Sequence, residues 1–163
     1  MPSTMGCRTY VMKNIKINLD FLFNVLFPLF AAFTISMTLP SFTPYYNSLT
    51  TLVRVPPVIF PIVWTVLYIL MGYVGYQLSK NNDEYGERIY YLQLLFNLLW
   101  SPAFFGLKSP VLGLIIILIL LGLVLWLFIY MRKKCYKLAN LLIPYILWLF
   151  FATFLNVTLT ILN

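Results

Sequence analysis

Charge-free stretches of roughly 20 residues alternate with short polar patches along this chain, and each stretch is long enough for one membrane-crossing helix. Charged residues sit at Arg8, Lys13, Lys16 and Asp20, at Arg54, between Lys80 and Arg88, at Lys108, and between Arg132 and Lys137. The intervals between them predict helices near 19–39, 58–78, 89–107, 111–131 and 138–162. The expected fold class is therefore an all-α integral membrane protein, a bundle of five transmembrane helices forming one domain over 19–163 behind a tail of residues 1–18. A transmembrane β-barrel alternates apolar and polar positions. The run LGLIIILILLGLVLWLFI is apolar at every position, which suits a helix that satisfies its own backbone hydrogen bonds in lipid.

Composition agrees. The 163 residues are 62% hydrophobic and 9% charged, with a mean hydropathy of +0.90, far from the balance of a soluble domain. The net charge of +7 does not read as a nucleic-acid surface, because the basic residues form no stripe. They form a topology signal. With the amino terminus in the cytoplasm, Arg8, Lys13, Lys16, Lys80, Arg88, Arg132, Lys133, Lys134 and Lys137 fall inside, and only Arg54 and Lys108 fall outside, a strong positive-inside bias. The expected location is a bacterial cell membrane, crossed several times. The first apolar run ends in TISMTLPSF without a small-residue cleavage pattern, so it reads as a retained span. Residues 1–11 precede a third methionine, Met12, and carry no functional signal.

The chemistry on offer is narrow. The chain contains no histidine, its two cysteines are Cys7 and Cys135, and no acidic residue lies inside a predicted span after Asp20. In the predicted topology both thiols face the reducing cytoplasm, where a disulfide is not expected. Zinc sites and histidine-ligated haem lack their usual donors, and His-based acid/base catalysis is disfavoured. Ion channels and proton relays use intramembrane ionisable groups, and this chain has none beyond Asp20 at the edge of its first expected span.

What the spans do carry is aromatic, small and uncharged polar residues at helical spacing. In the second, Trp64, Tyr68, Met71 and Gly75 share one stripe. In the third, Asn97, Ser101 and Phe104 share a face, with Pro102 marking a local kink. In the fifth, Pro144, Trp148, Ala152, Leu155 and Asn156 do the same. Asn97 and Asn156 read equally as interhelical hydrogen-bond glue or as ligand contacts, Trp100 and Trp126 as packing or interface residues, and the small residues as close-packing positions. If the three stripes face one another, they enclose a pocket with flat aromatic walls and no fixed charge, suited to a planar apolar ligand held by stacking and burial. The link over 40–57, PSFTPYYNSLTTLVRVPP, is long enough to fold over the bundle as a lid. It reads equally as a mobile tether with Tyr45 and Tyr46 at the interface. No internal repeat of the kind common in secondary transporters is evident.

The segments PPVIFPIVWTVLYILMGYVGY, QLLFNLLWSPAFFG and LLIPYILWLFFATFLN, in this order and spacing, resemble the tryptophan-rich sensory protein or translocator protein family (TspO/MBR, the peripheral benzodiazepine receptor family) over roughly residues 19–160. The resemblance implies a five-helix bundle, usually dimeric, that binds protoporphyrin IX and related tetrapyrroles, and isoquinoline- or benzodiazepine-type drugs, beneath the long first loop. It requires no cofactor; porphyrin enters as ligand, and the expected partners are membrane lipid and a second copy. Carried over, the pocket residues are Phe60, Pro61, Val63, Trp64, Tyr68, Asn97, Phe104, Ile119, Trp148, Ala152 and Leu155. Trp64 and Trp148 match the two tryptophans implicated in light-dependent porphyrin breakdown in some bacterial members.

Three departures limit the transfer. The loop reads YYNSLTTLVRVPP where the family carries WYxxLxKPxxxPP, so Tyr45 replaces a Trp and Thr51-Leu52 replace Lys-Pro. Leu112 and Ile116 stand where a Trp and an Asp often begin the fourth span. The ending LNVTLTILN has neither the Tyr nor the basic residue of the sterol motif proposed for animal members. Three functions remain: a receptor for planar apolar ligands linked to tetrapyrrole regulation or stress response, a light-dependent porphyrin-degrading enzyme, and a regulatory partner of other membrane proteins.

Overall fold

A computed structural model describes residues 19–39, 42–134 and 137–163; the expectations placed on the tail, on Cys7 and on Cys135 fall outside the described residues. The elements are α1 (Leu19–Thr38), α2 (Phe42–Ser48), α3 (Ile59–Lys80), α4 (Glu84–Ser101), a π-helical turn (Pro102–Gly106), α5 (Pro110–Lys133), a 3-10 segment (Lys137–Leu142) and α6 (Ile143–Leu162). The protein is an all-α bundle of several membrane-spanning helices. Among the described residues four segments are long and apolar enough to cross a bilayer: Phe21–Thr38, Ile59–Lys80, Pro110–Lys133 and Lys137–Leu162.

The third expected span departs from its predicted start. α4 begins at Glu84 rather than near Ile89, because Asp83 caps it by accepting a hydrogen bond from the Gly86 amide at 3.2 Å and Glu84 and Glu87 favour the positive end of the helix dipole. The polar link shrinks to a tight turn, with Asn82 at φ 51°. Asp83 also accepts from Tyr130 Oη at 2.6 Å and pairs with Lys134 Nζ at 3.3 Å. Its carboxylate side chain, only 3% exposed, thus ties the α3–α4 turn to the end of α5.

At the other end of α4, Pro102 cannot donate into the α-helical ladder. The chain answers with a wider turn in which Leu107 N donates to Pro102 O at 2.9 Å. Ser109 then caps α5 by accepting from Leu112 N at 3.2 Å, with Pro110 in the first turn, where a missing amide is tolerated. The fifth expected span starts as 3-10 helix and becomes α-helical only at Ile143, next to Pro144.

α1 packs on α3 and, more lightly, on α4; α5 packs between α4 and α6. The core contains Leu67, Met71, Val74, Leu78, Leu94, Leu120, Val124, Leu127 and Leu149. α1 comes closest to α3 at Gly72, where an added Cβ would lie 2.6 Å from Val25 Cα and 2.7 Å from Asn24 O. This is the close backbone approach that small residues permit between membrane helices. From there toward its carboxyl end α1 exposes Phe30, Phe33 and Met37.

The long link is folded rather than slack. α2 buries Tyr46 to 2% exposure against Phe60, ring centroids 5.6 Å apart, and Tyr46 Oη accepts from Val55 N at 3.2 Å. Beyond it, Asn163 accepts from Thr50 N at 2.9 Å and donates to Thr50 O at 3.0 Å, fastening the link to the end of α6. Asn163→Ala removes both bonds. The Thr50 amide is then expected to exchange with deuterium about fivefold faster, the equivalent of roughly 1 kcal/mol. Hydrogen–deuterium exchange read at residues 49–55 checks this, and unchanged exchange there shows that packing of Tyr46 and Leu49 holds the link unaided.

Candidate functional site

Phe60, Trp64 and Tyr68 recur every four residues on α3, so they stack along one face. Pro61 costs little there because it lies in the first turn, where no helical partner for its amide exists. The predicted stripe does turn inward: Trp64 is partly buried, and Tyr68, Met71 and Gly75 are buried. Trp64 lies 5.7 Å from the Tyr68 ring and 6.3 Å from that of Tyr145 on α6.

This face borders two spaces. The larger, a cavity of about 450 Å³, lies between α1, α3 and the α4–π-turn segment; Phe60, Pro61, Trp64, Tyr68, Asn97, Trp100 and Phe105 form its walls, with Leu29, Ala32, Phe33, Ser36 and Leu39 of α1 opposite. The smaller, about 20 Å³, lies between α3, the π-turn and α6 beneath Tyr46; it is bounded by Phe60, Trp64, Trp100, Phe104, Trp148, Ala152, Leu155 and Asn156. The three predicted stripes therefore do meet, but aromatic side chains fill the space between them, and the room for a ligand opens on the α1 side. Phe60 and Trp64 separate the two spaces, and Trp100 and Phe105 line both.

Of the residues expected at the pocket, Phe60, Pro61, Trp64, Tyr68 and Asn97 line the cavity. Phe104, Trp148, Ala152 and Leu155 line only the small space. Val63 and Ile119 line neither. Ile119 is 41% exposed, because α5 turns Ile117, Leu120 and Val124 to its neighbours and presents the opposite face to lipid. Trp148 sits 6.2 Å from Phe60, and its buried indole N–H finds no acceptor among the described residues.

Both asparagines are used within the bundle. Tyr68 Oη donates to Asn97 Oδ1 at 2.6 Å, Asn97 Nδ2 donates to Tyr145 Oη at 2.5 Å, Tyr145 Oη donates to Gln93 Oε1 at 3.1 Å, and Gln93 Nε2 faces Met71 Sδ at 3.7 Å. The chain joins α3, α4 and α6 across an apolar interior, where an unpaired polar group is costly. Asn156, with its amide oriented to satisfy both atoms, accepts from Trp100 Nε1 at 3.0 Å and donates to Pro110 O at 3.0 Å. It links α6 to the α4–α5 turn, and Trp100 stacks on Phe104 at 5.3 Å.

Sequence reasoning missed Trp100 and Phe105 as cavity residues, Tyr145 and Gln93 as network members, and all of α1. Two of these had a signal. Trp100 precedes Phe104 by four residues, and Leu29, Ala32, Phe33 and Ser36 follow i, i+3, i+4, i+7 spacing. Among the described residues no group of acidic or thiol side chains is placed to hold a metal ion.

The comparison with known proteins bears on this geometry. The "Tryptophan-rich protein TspO" of Chlorobaculum tepidum is 37% identical over 139 residues, covering 76% of this chain and 85% of the relative. The "Translocator protein homolog" of Schizosaccharomyces pombe is 38% identical, covering 66% and 70%, and the human "Translocator protein" is 33% identical over 100 residues, covering 58% and 59%. A profile of the TspO/MBR family matches residues 24–162, taking in every helix that walls the cavity and every member of the Tyr68–Asn97–Tyr145–Gln93 chain. On this match, and on a bundle that brings the predicted aromatic stripes together, the chain belongs to the TspO/MBR family.

Proposed function

We propose that this protein is a five-span membrane receptor that binds protoporphyrin IX and other planar apolar molecules between its helices, as part of tetrapyrrole regulation or a stress response. The fifth span is α4. Its start meets the end of α5 through Asp83 and Tyr130, and Phe104 in the following turn packs where α5 begins, at Gly113. It therefore runs the length of a helix that crosses the bilayer. The charge asymmetry of the sequence puts the amino terminus in the cytoplasm.

The observation that carries the binding reading is the cavity of about 450 Å³ with Phe60, Trp64, Trp100 and Phe105 in its walls. Its size falls in the range of roughly 300–1,000 Å³ common for small-molecule sites, which are mostly apolar with a few placed polar groups. Affinity comes from burial and from ring stacking. Protoporphyrin IX titrated into the protein in lipid nanodiscs is expected to quench tryptophan fluorescence saturably, with affinity about tenfold weaker in Trp64→Leu, the equivalent of roughly 1.4 kcal/mol. Quenching that never saturates in the intact protein removes the proposal.

A second reading has one observation in its favour: Trp64 and Trp148 border the same small space, and Phe60, packed on Trp148, walls the larger cavity together with Trp64. A porphyrin bound in that cavity would touch Trp64 and lie one ring layer from Trp148, as light-dependent breakdown through both tryptophans would use. If Trp64→Phe with Trp148→Phe keeps both binding and photoproduct yield, the enzymatic reading is lost. A homodimer belongs to the proposal through the family alone.

A further inference from the structure

The cavity opens sideways, between the carboxyl-terminal half of α1 and the amino-terminal half of α3, and the geometry points to what fills it: an acyl chain of membrane lipid enters through this gap and occupies the cavity until a planar ligand takes its place. The occupancy belongs to the cavity itself and goes beyond the binding proposal, which shares the same space.

The gap shows in the wall residues that are surface residues as well. α1 parts from the bundle after its close approach to Gly72: Asn24 and Pro28 are buried, and no residue from Leu29 to Leu39 is. Pro28, inside the helix, takes one amide out of the ladder at that point, where helices most readily bend. Beyond it, Phe33 and Ser36 line the cavity and are exposed. On α3, Pro61 and Thr65 line it and are exposed too. They lie about 100° and 140° around the helix from Phe60, away from the side on which Phe60 meets Trp148 of α6. The α4 side is closed. Asn97 and Trp100 are buried, Ser101 and Phe105 half-buried, and Leu39 packs over Gly106, where an added Cβ would lie 3.0 Å from Leu39 Cδ2. Both edges of the gap belong to helices apolar enough to cross a bilayer, and Thr65 is about 9 Å along α3 from Ile59. The gap therefore meets lipid at the depth of its chains.

Whatever stands there has to be apolar. A water molecule in such a space needs about two to four polar partners, and the hydroxyl protons at the gap and at the deep end of the cavity are already engaged. Ser36 Oγ donates to Phe33 O at 2.7 Å, Thr65 Oγ1 to Pro61 O at 2.7 Å, and Tyr68 Oη to Asn97 Oδ1 at 2.6 Å. Most of the remaining wall is aromatic or aliphatic. An empty space of about 450 Å³ forfeits the dispersion contacts of its lining. A lipid chain, as apolar as that lining, restores them and exchanges one set of apolar neighbours for another. A planar ligand then binds by exchange with the chain, through the same gap.

Lipid brominated at mid-chain tests this. A variant that keeps Trp64 as its one tryptophan (Trp100→Phe, Trp126→Phe, Trp148→Phe) is placed in nanodiscs of dibromostearoyl phosphatidylcholine and of dioleoyl phosphatidylcholine. Trp126 has to be removed because it is 53% exposed on α5 and would be quenched from outside. Since a bromine quenches indole only near van der Waals contact, emission from Trp64 is expected to be about twofold or more lower in the brominated lipid. Adding Ala32→Phe, which fills the cavity from its α1 wall, is expected to restore most of that emission. Should this variant not fold, Ser36→Leu, at the mouth of the gap, is read in the same way. Equal emission in the two lipids, the result for a cavity that holds water, overturns the inference. Quenching that Ala32→Phe or Ser36→Leu leaves unchanged overturns it as well, because the lipid then touches Trp64 from outside the cavity. These measurements contain no porphyrin, so their failure leaves the binding proposal standing, and porphyrin quenching that never saturates in a protein that shows the lipid effect removes that proposal alone.

Discussion

Gly72→Ala is expected to loosen α1 from α3 and to weaken ligand binding together, although it adds a single methyl group. The new Cβ would fall 2.6 Å from Val25 Cα and 2.7 Å from Asn24 O. Both are backbone atoms, so no side chain can turn aside, and the helices must move apart. Overpacking of this kind costs about 1–3 kcal/mol. The cost lands on the contact that holds the α1 wall of the cavity, and that helix has few other buried residues. A fall of several degrees in the unfolding temperature of the nanodisc-embedded protein and a loss of saturable protoporphyrin IX quenching are the expected results. Gly122→Ala is the matched control. A Cβ there meets nothing within 4 Å, and alanine is the better helix former by about 1 kcal/mol, so stability is expected to hold or rise slightly. Equal losses in the two variants would mean that the α1–α3 contact is not what Gly72 serves.

Asn97→Leu is the second change expected to have a large effect. It removes the acceptor for Tyr68 Oη and the donor to Tyr145 Oη in one step, with the same branching and the same number of side-chain heavy atoms. An orphaned buried polar group costs about 1–3 kcal/mol. Hydrogen bonds between membrane helices average nearer 0.6 kcal/mol, so a combined loss of about 1–3 kcal/mol is expected for the two bonds. The design carries its own check. Tyr68→Phe and Tyr145→Phe, added to Asn97→Leu, remove the stranded hydroxyls and are expected to recover part of the loss. Thermal unfolding of the single and triple variants measures both steps, and a triple variant less stable than Asn97→Leu alone would show that the tyrosines are held by other contacts.

These effects divide along the line between pattern and packing. The inward stripe of Trp64, Tyr68, Met71 and Gly75 was legible, because apolar and aromatic residues at helical spacing in a charge-free segment have one way to face a bundle. A disturbance at Pro102 was legible as a kink, since a residue without an amide proton must break the ladder inside a helix, but that the chain answers with a π-helical turn was not. The start of α4 was not. Counting charges finds where lipid must end and says nothing of where a helix ends, so the first turn of α4, capped by Asp83, falls outside the span that the charges predict. Ile119 shows another limit, because a segment apolar on every face, as α5 is, carries no mark of which face meets protein.

The chain by itself determined that the protein lies in a membrane, the approximate limits of its spans, and that Trp64, Tyr68, Phe104 and Trp148 turn aromatic rings toward the interior. Each follows from local composition and helical period, which need no knowledge of neighbours. Tertiary structure alone decided where the space lies. Tyr46, Phe104 and Trp148 crowd the junction of the three predicted stripes, α1 lies tight against α3 at Gly72, and the cavity opens between α1, α3 and α4. It also decided that Asn97 serves the bundle before any ligand, because whether an amide is spent depends on which hydroxyls other helices bring within about 3 Å of it, and no spacing within one helix records that.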